Sequence, residues 1–119
     1  IDVIVPIPLH ASREQHRGYN QAACIAKGIA QVMGVEVCSQ VLVRTVATST
    51  QTRMRVFERH QNTQGIFAVQ QPEVLAHKQV LLVDDVITTG ATLLAAAQAL
   101  KEKIPTCKIS IATLAVASA

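Results

Sequence analysis

The sequence predicts an α/β fold with a mainly parallel sheet flanked by helices, and three observations carry that prediction. Short β-branched runs alternate with helix-periodic stretches, in the order strand, helix, strand, strand, strand, helix, strand. The run "QVLLVDD" is apolar at successive positions up to its acids, as a strand buried on both faces of a parallel sheet requires. A strand leading into a helix is also the unit whose right-handed crossover builds such a sheet. With 119 residues, 50% of them apolar and 16% charged, the chain fits one domain with a substantial core.

Each element has its own signal. "DVIVPIP" is a short β-branched run bounded by prolines. In "NQAACIAKGIAQVMG", Ala22, Ile25, Ala26, Ile29, Ala30 and Met33 recur at helical spacing, and Gly34 stands where a helix stops. "VEVCSQVLVR" returns to strand character, "GIFAV" is a further short strand, and "QVLLVDD" is the buried one. "ATLLAAAQALKEK" is a strong helix with lysines near its end, and "CKISIATLAV" is the last strand. Arg44 to Gln64 resists the pattern, being polar and carrying Arg44, Arg53, Arg55 and Arg59 against the single acid Glu58. A stretch this long inside a compact domain is usually functional or mobile, and "MRVFERHQN" adds a helical turn or two within it.

Composition removes several classes of function. No apolar run is long enough to span a membrane, and "IDVIVPIP" has neither the basic flank nor the cleavage pattern of a signal peptide, so a cytoplasmic protein is expected. Cys24, Cys38 and Cys107 are too far apart for a metal or redox pair and are expected to pack as small apolar residues. His10, His16, His60 and His77 lack metal-ligand spacing and are expected at the surface or in loops. No metal site built by the protein alone is therefore expected. The chain opens at Ile1 directly in a strand-like run, which suggests one piece of a longer protein.

The chemistry concentrates in "VLLVDDVITTGAT", Val80 to Thr92. In an open α/β sheet ligands bind beyond the carboxyl ends of the strands, and this strand is expected to end at Asp85. Thr88, Thr89, Gly90, Ala91 and Thr92 then open a helix, whose backbone N–H groups and dipole favour a phosphate. Carboxylates repel a phosphate, so Asp84 and Asp85 must face another part of the ligand, and vicinal sugar hydroxyls suit them. The combined demand is a sugar phosphate. Taken singly the residues have plainer readings, with Asp84 capping a turn and Thr88 or Thr89 capping a helix. Neither a Gly-Lys-Thr or Gly-Lys-Ser phosphate loop nor a Gly-x-Gly-x-x-Gly is present.

"VLLVDDVITTGAT" closely resembles the phosphoribosyl pyrophosphate signature of type I phosphoribosyltransferases. "VPIPLHASREQHRGYNQ" and "LVRTVATSTQTRMRVFERHQNTQGIFAV" are similar to the ComF/GntX branch, associated with competence and gluconate utilisation. The resemblance spans most of the chain and implies a Rossmann-like core, residues 1–119, that binds phosphoribosyl pyrophosphate with Mg²⁺ held mainly through the substrate. It assigns the ribose hydroxyls to Asp84 and Asp85 and the 5′-phosphate to Thr88, Thr89, Gly90, Ala91 and Thr92. It assigns pyrophosphate to the loop after the first strand, about Pro8, Leu9, His10 and Ala11. Arg17, just before a helix start, could join it there, with a solvated arginine as the plainer reading.

Arg44 to Gln64 then matches a mobile flap, with Arg44, Gln51, Arg59 and Asn62 at the branch's positions and Arg44, Gln51 and Arg59 in catalytic roles. A solvated basic loop is the alternative. The implied reaction is displacement at the ribose anomeric carbon by an unidentified nitrogenous acceptor, with pyrophosphate leaving. Branch members usually carry a cysteine-rich zinc module and a hood segment ahead of the core, and neither is in this chain; "KEKIPTCKI" also stands where a glycine-containing turn is usual. Two other classes stay open: a non-catalytic phosphoribosyl pyrophosphate-binding regulator, and an accessory factor in DNA uptake. A net charge of +3 with one Tyr, two Phe and no Trp gives nucleic-acid binding little support. The resemblance leaves room for a homodimer.

Overall fold

A computed structural model describes residues 1–9, 20–45 and 66–117. Its centre is a four-stranded sheet in the order β2-β1-β5-β6, built from β1 (Val3–Pro6), β2 (Glu36–Val37), β5 (Gln79–Ile87) and β6 (Lys108–Val116), with every neighbouring pair parallel. β3 (Leu42–Arg44) and β4 (Phe67–Val69) form a separate antiparallel ribbon. Helix α1 (Gln21–Met33) connects β1 to β2, and α2 (Ala91–Lys103) connects β5 to β6. The predicted α/β class with a mainly parallel sheet is what the chain forms.

Alternation along β1 and β5 sorts their side chains to two faces. Val3, Val5 and Ile7 of the β1 segment, with Val80 and Leu82 of β5, pack with Leu93, Ala96 and Leu100 of α2. Ile4 and Val83 point the other way, onto Ala26 of α1, with Ile25, Ile29 and Ala30 around them. The ribbon joins the α2 face through Leu42 and Phe67. The two helices thus cover opposite faces. From β1 the chain crosses outward to β2, and from β5 it crosses the other way to β6, so the strand order reverses between β1 and β5. A crevice at the carboxyl ends of these two strands is the expected ligand position in such a sheet.

The structure corrects several local expectations. "VEVCSQVLVR" is not one strand but two, β2 in the main sheet and β3 in the ribbon, because Ser39 and Gln40 break the run and send it to a different layer. β5 does not end at Asp85 but continues to Ile87, held by β6 through Asp84↔Thr113, Val86↔Ala115 and Ile87↔Val116. Met33 is 46% exposed rather than in the core, since the packed stripe of α1 ends at Ala30 and Val35 takes over after the turn. Cys24 is exposed, Cys38 half-buried and Cys107 buried. On a helix whose buried residues are Ala22 and Ala26, position 24 falls on the outer face. His77 lies at the surface as expected. A short 3₁₀ turn, Pro72–Leu75, escaped the sequence reading although Leu75 is fully buried. The corner after α2 is closed by Lys101, whose Nζ donates to the carbonyls of Pro105 at 3.0 Å and Cys107 at 2.6 Å. No described helix is long and apolar enough to cross a membrane.

Candidate functional site

The β1–β5 ladder ends at Pro6↔Val83, with one further bond from the Ile7 N–H to the Val83 carbonyl at 2.8 Å. β5 runs on beyond it, so Asp84 and Asp85 stand on a strand one of whose neighbours has just stopped. Both carboxylates are half-buried and both are anchored locally. Asp84 Oδ1 accepts the Asp85 N–H at 2.8 Å, and Asp85 Oδ1 accepts the Val86 N–H at 2.8 Å. These bonds fix the side chains on their own backbone, and a carboxylate that accepts one such bond has further acceptor capacity for a ligand. Burial pushes the Asp84 carboxyl above its ordinary value; the Asp85 N–H pulls it back, the Asp85 side chain raises it again, and the Arg44 guanidinium lowers it.

The pair lines an open depression whose other walls come from four elements. Ile7 and Leu9 contribute the exit of β1, Asn20, Gln21 and Ala22 the first turn of α1, and Arg44 the end of β3, while Thr92 closes it from α2. Arg44 is held with its guanidinium carbon 5.5 Å from the centre of the Phe67 ring, its cross-strand partner in the ribbon. A cation therefore lines the same depression as the two acids, steadied by an aromatic face. A smaller adjoining hollow is lined by Asp84, Thr88, Gly90 and Thr92 together with Val86 and Ile87.

The threonine loop enters α2 through Gly90, which has φ 85° and ψ −1°. This left-handed conformation is strained for other residues, and it explains a glycine there. The helix starts without a side-chain cap from Gly90, while Thr89 Oγ1 accepts the Ala91 N–H at 3.2 Å. Among the residues assigned from sequence, Leu9, Arg44, Asp84, Asp85, Thr88, Gly90 and Thr92 meet around these two hollows. Thr89 and Ala91 do not line either, and Pro8 is half-buried beside Leu9. His10, Ala11, Arg17, Gln51, Arg59 and Asn62, and with them the flap beyond Thr45, lie outside the described residues.

The sequence reading missed Asn20 and Gln21 as parts of the site, and Phe67 as the support of Arg44. For Asn20 a signal existed, since Asn directly before an apolar-periodic run is a preferred helix cap. No comparable signal marks Phe67, whose role depends on a cross-strand pairing with Arg44.

Comparison with known proteins agrees with this fold. Residues 20–119 match the phosphoribosyl transferase domain. Competence protein F of Haemophilus influenzae is 36% identical over 94 residues, covering 77% of this chain and 41% of that protein. Competence protein ComFC of Bacillus subtilis is 34% identical over 112 residues, covering 94% and 43%, and the DNA utilization protein YhgH of Salmonella typhi is 35% identical over 99 residues, covering 83% and 43%. The chain thus spans less than half the length of the curated relatives it matches. With the family domain matched over 100 residues, 20 to 119, and these relatives beside it, the chain belongs to the type I phosphoribosyltransferases, in their competence protein F branch.

Proposed function

We propose that this chain binds phosphoribosyl pyrophosphate and transfers its phosphoribosyl group to a nitrogenous acceptor, releasing pyrophosphate. The observation that carries the reading is the meeting of Asp84 and Asp85 with the Thr88–Thr92 loop where the strand order reverses. In this reading Asp84 and Asp85 accept hydrogen bonds from the ribose hydroxyls, and the loop with the first turn of α2 holds the 5′-phosphate. The nitrogen forms a bond to the anomeric carbon as the carbon–oxygen bond to the diphosphate breaks, and that electron pair leaves on the diphosphate. Charge builds on the departing group and on the ribose ring, so catalysis rests on positioned charge rather than on a protein nucleophile. Arg44, lining the depression from the ribbon, is the described cation placed to counter the leaving group.

The family implies Mg²⁺. Among the described residues no three His, Cys, Asp or Glu side chains gather into a cage. Two adjacent carboxylates in an open hollow do fit an ion held chiefly by substrate oxygens and water, with Asp84 and Asp85 as its contacts to the protein. When bound it would neutralise diphosphate charge. The test is calorimetric titration of phosphoribosyl pyrophosphate with and without Mg²⁺, beside the Asp84→Asn, Asp85→Asn double variant. Losing two charge-assisted contacts of about 1.5–3 kcal/mol each should weaken binding by about a hundredfold or more while the protein stays folded. Unchanged affinity in the variant would remove the ribose assignment.

The relatives' names, competence protein F and DNA utilization protein, favour a second reading in which the site serves a regulator or accessory factor in DNA uptake. Binding of single-stranded DNA that weakens steeply with salt would support it, and a slope near zero would remove it. Release of pyrophosphate in the presence of amines or bases separates the catalytic reading from both.

A further inference from the structure

We propose that Asn20 is a positioning residue for the diphosphate end of the ligand, acting through its bond to the exit of β1; the inference rests on the function proposed above. Its amide is used at both ends. Nδ2 donates to the Ile7 carbonyl at 3.1 Å, and Oδ1 accepts the Ala23 N–H at 3.2 Å. Only one orientation of the amide satisfies both partners, since a carbonyl needs a donor and an N–H needs an acceptor.

The Ile7 N–H in turn donates to the Val83 carbonyl at 2.8 Å, one residue before Asp84. A continuous relay therefore runs from the acid-bearing strand, through β1, to the first turn of α1. It has a mechanical reason. The β1–β5 ladder ends at Pro6↔Val83 and β2 pairs β1 only at Val3 and Ile4, so the Ile7 carbonyl points where no strand register continues. Asn20 takes the place of that missing strand. The bond closes a separation of 13 residues and ties the exit of β1, which leads to Leu9, to the turn that carries Gln21 and Ala22.

Those residues line the same depression as Asp84, Asp85 and Thr92. A ligand with its ribose on the acids and one phosphate on the Thr88–Thr92 loop must lay its remaining phosphates away from both, because the acids repel them and the loop is taken. The lining that Asn20 sets, at the exit of β1 and the first turn of α1, is what remains for them. A plain helix cap would need only Oδ1; the second bond, to Ile7, is what ties the cap to the binding depression.

Asn20→Ser and Asn20→Ala in the full chain separate the two functions. Serine keeps a cap acceptor but is too short to reach the Ile7 carbonyl, whereas alanine loses both. The expected result is about tenfold weaker binding of phosphoribosyl pyrophosphate in both variants, as for one lost hydrogen bond, with ribose 5-phosphate affinity unchanged within about twofold. The melting temperature should fall in Asn20→Ala and hold in Asn20→Ser. Unchanged phosphoribosyl pyrophosphate binding by Asn20→Ser, or equal losses for both ligands, would overturn the proposal and leave a structural cap. If the unsubstituted protein binds neither ligand, the functional reading falls first and the role of Asn20 falls with it.

Discussion

The starts of α1 and α2 face the same depression and are built in opposite ways. Asn20 closes α1 with its own side chain, at φ −98° and ψ 115°, and the helix ends on a left-handed Gly34 whose N–H returns to the Ala30 carbonyl. α2 opens on Gly90 with no side-chain cap from that residue. The difference follows from packing. α2 buries Leu93, Ala95, Ala96, Ala99 and Leu100, whereas α1 fully buries only Ala22 and Ala26. A helix held by large apolar side chains can leave its first turn to a ligand. One whose fully buried side chains are two alanines leans more on its caps, each worth about 1 kcal/mol.

The largest effect expected from this comparison is on packing. Leu100→Ala should cost about 2–5 kcal/mol, since Leu100 is fully buried in the cluster that joins α2 to the sheet. Ile29→Ala on α1, where the side chain is only half-buried against Ile4 and Val83, should cost well under half as much. Urea unfolding of the two variants decides it, and equal costs would show that α1 is held by packing after all.

A smaller and sharper test uses the two left-handed glycines. Gly34 has φ 70° and Gly90 φ 85°, and a Cβ at either would meet no atom within 4 Å. The penalty of alanine is therefore backbone strain alone, about 1 kcal/mol at each site. Thermal unfolding should register similar losses for Gly34→Ala and Gly90→Ala. Phosphoribosyl pyrophosphate affinity should fall only for Gly90→Ala, because only that glycine shapes the loop that opens α2. A matching affinity loss in Gly34→Ala would mean that helix placement, not loop shape, governs binding.

The same contrast explains what could be read from the sequence. Asp84, Asp85 and the threonine loop are contiguous in the chain, so their spacing alone pointed to a sugar phosphate, and Asp84, Asp85, Thr88, Gly90 and Thr92 do meet around two adjoining hollows. Asn20 enters the site, and Phe67 comes to support Arg44, from distant elements, and only the topology brings them there. The helices were legible because each repeats its apolar pattern over enough residues to show a period, and β5 because its unbroken apolar run is what a strand buried on both faces requires. β2 and β3, with two and three residues, show none, so nothing local told that "VEVCSQVLVR" divides between two sheets. Cys24 was misplaced for a related reason, as an apolar neighbourhood in sequence does not give the phase of a helix.

The smallest effect concerns Asp84, and its sign links the site to stability. The folded protein holds this carboxyl above its ordinary value, with burial the leading cause, so the ionised form is disfavoured by folding. The linkage runs opposite to that of a salt-bridged acid. The stability that Asp84 contributes when protonated is present below its unfolded pKa and is lost as pH rises through the raised folded value. At neutral pH the charge is therefore a cost in the unliganded protein. Asp84→Asn removes the charge while its Oδ1 can still accept the Asp85 N–H. Urea unfolding at pH 7 should show the variant more stable by a few tenths to about 1 kcal/mol, with discounting for solvent at a half-exposed site. The gain should vanish as pH falls below the ordinary carboxylate range, where the native side chain is neutral too. Ligand affinity should move the other way, falling in the variant at neutral pH and in the native protein on acidification. A variant less stable at pH 7 would mean that the attraction between Asp84 and Arg44 outweighs burial, and the acid would then be a structural ion-pair partner rather than a strained group kept for a ligand.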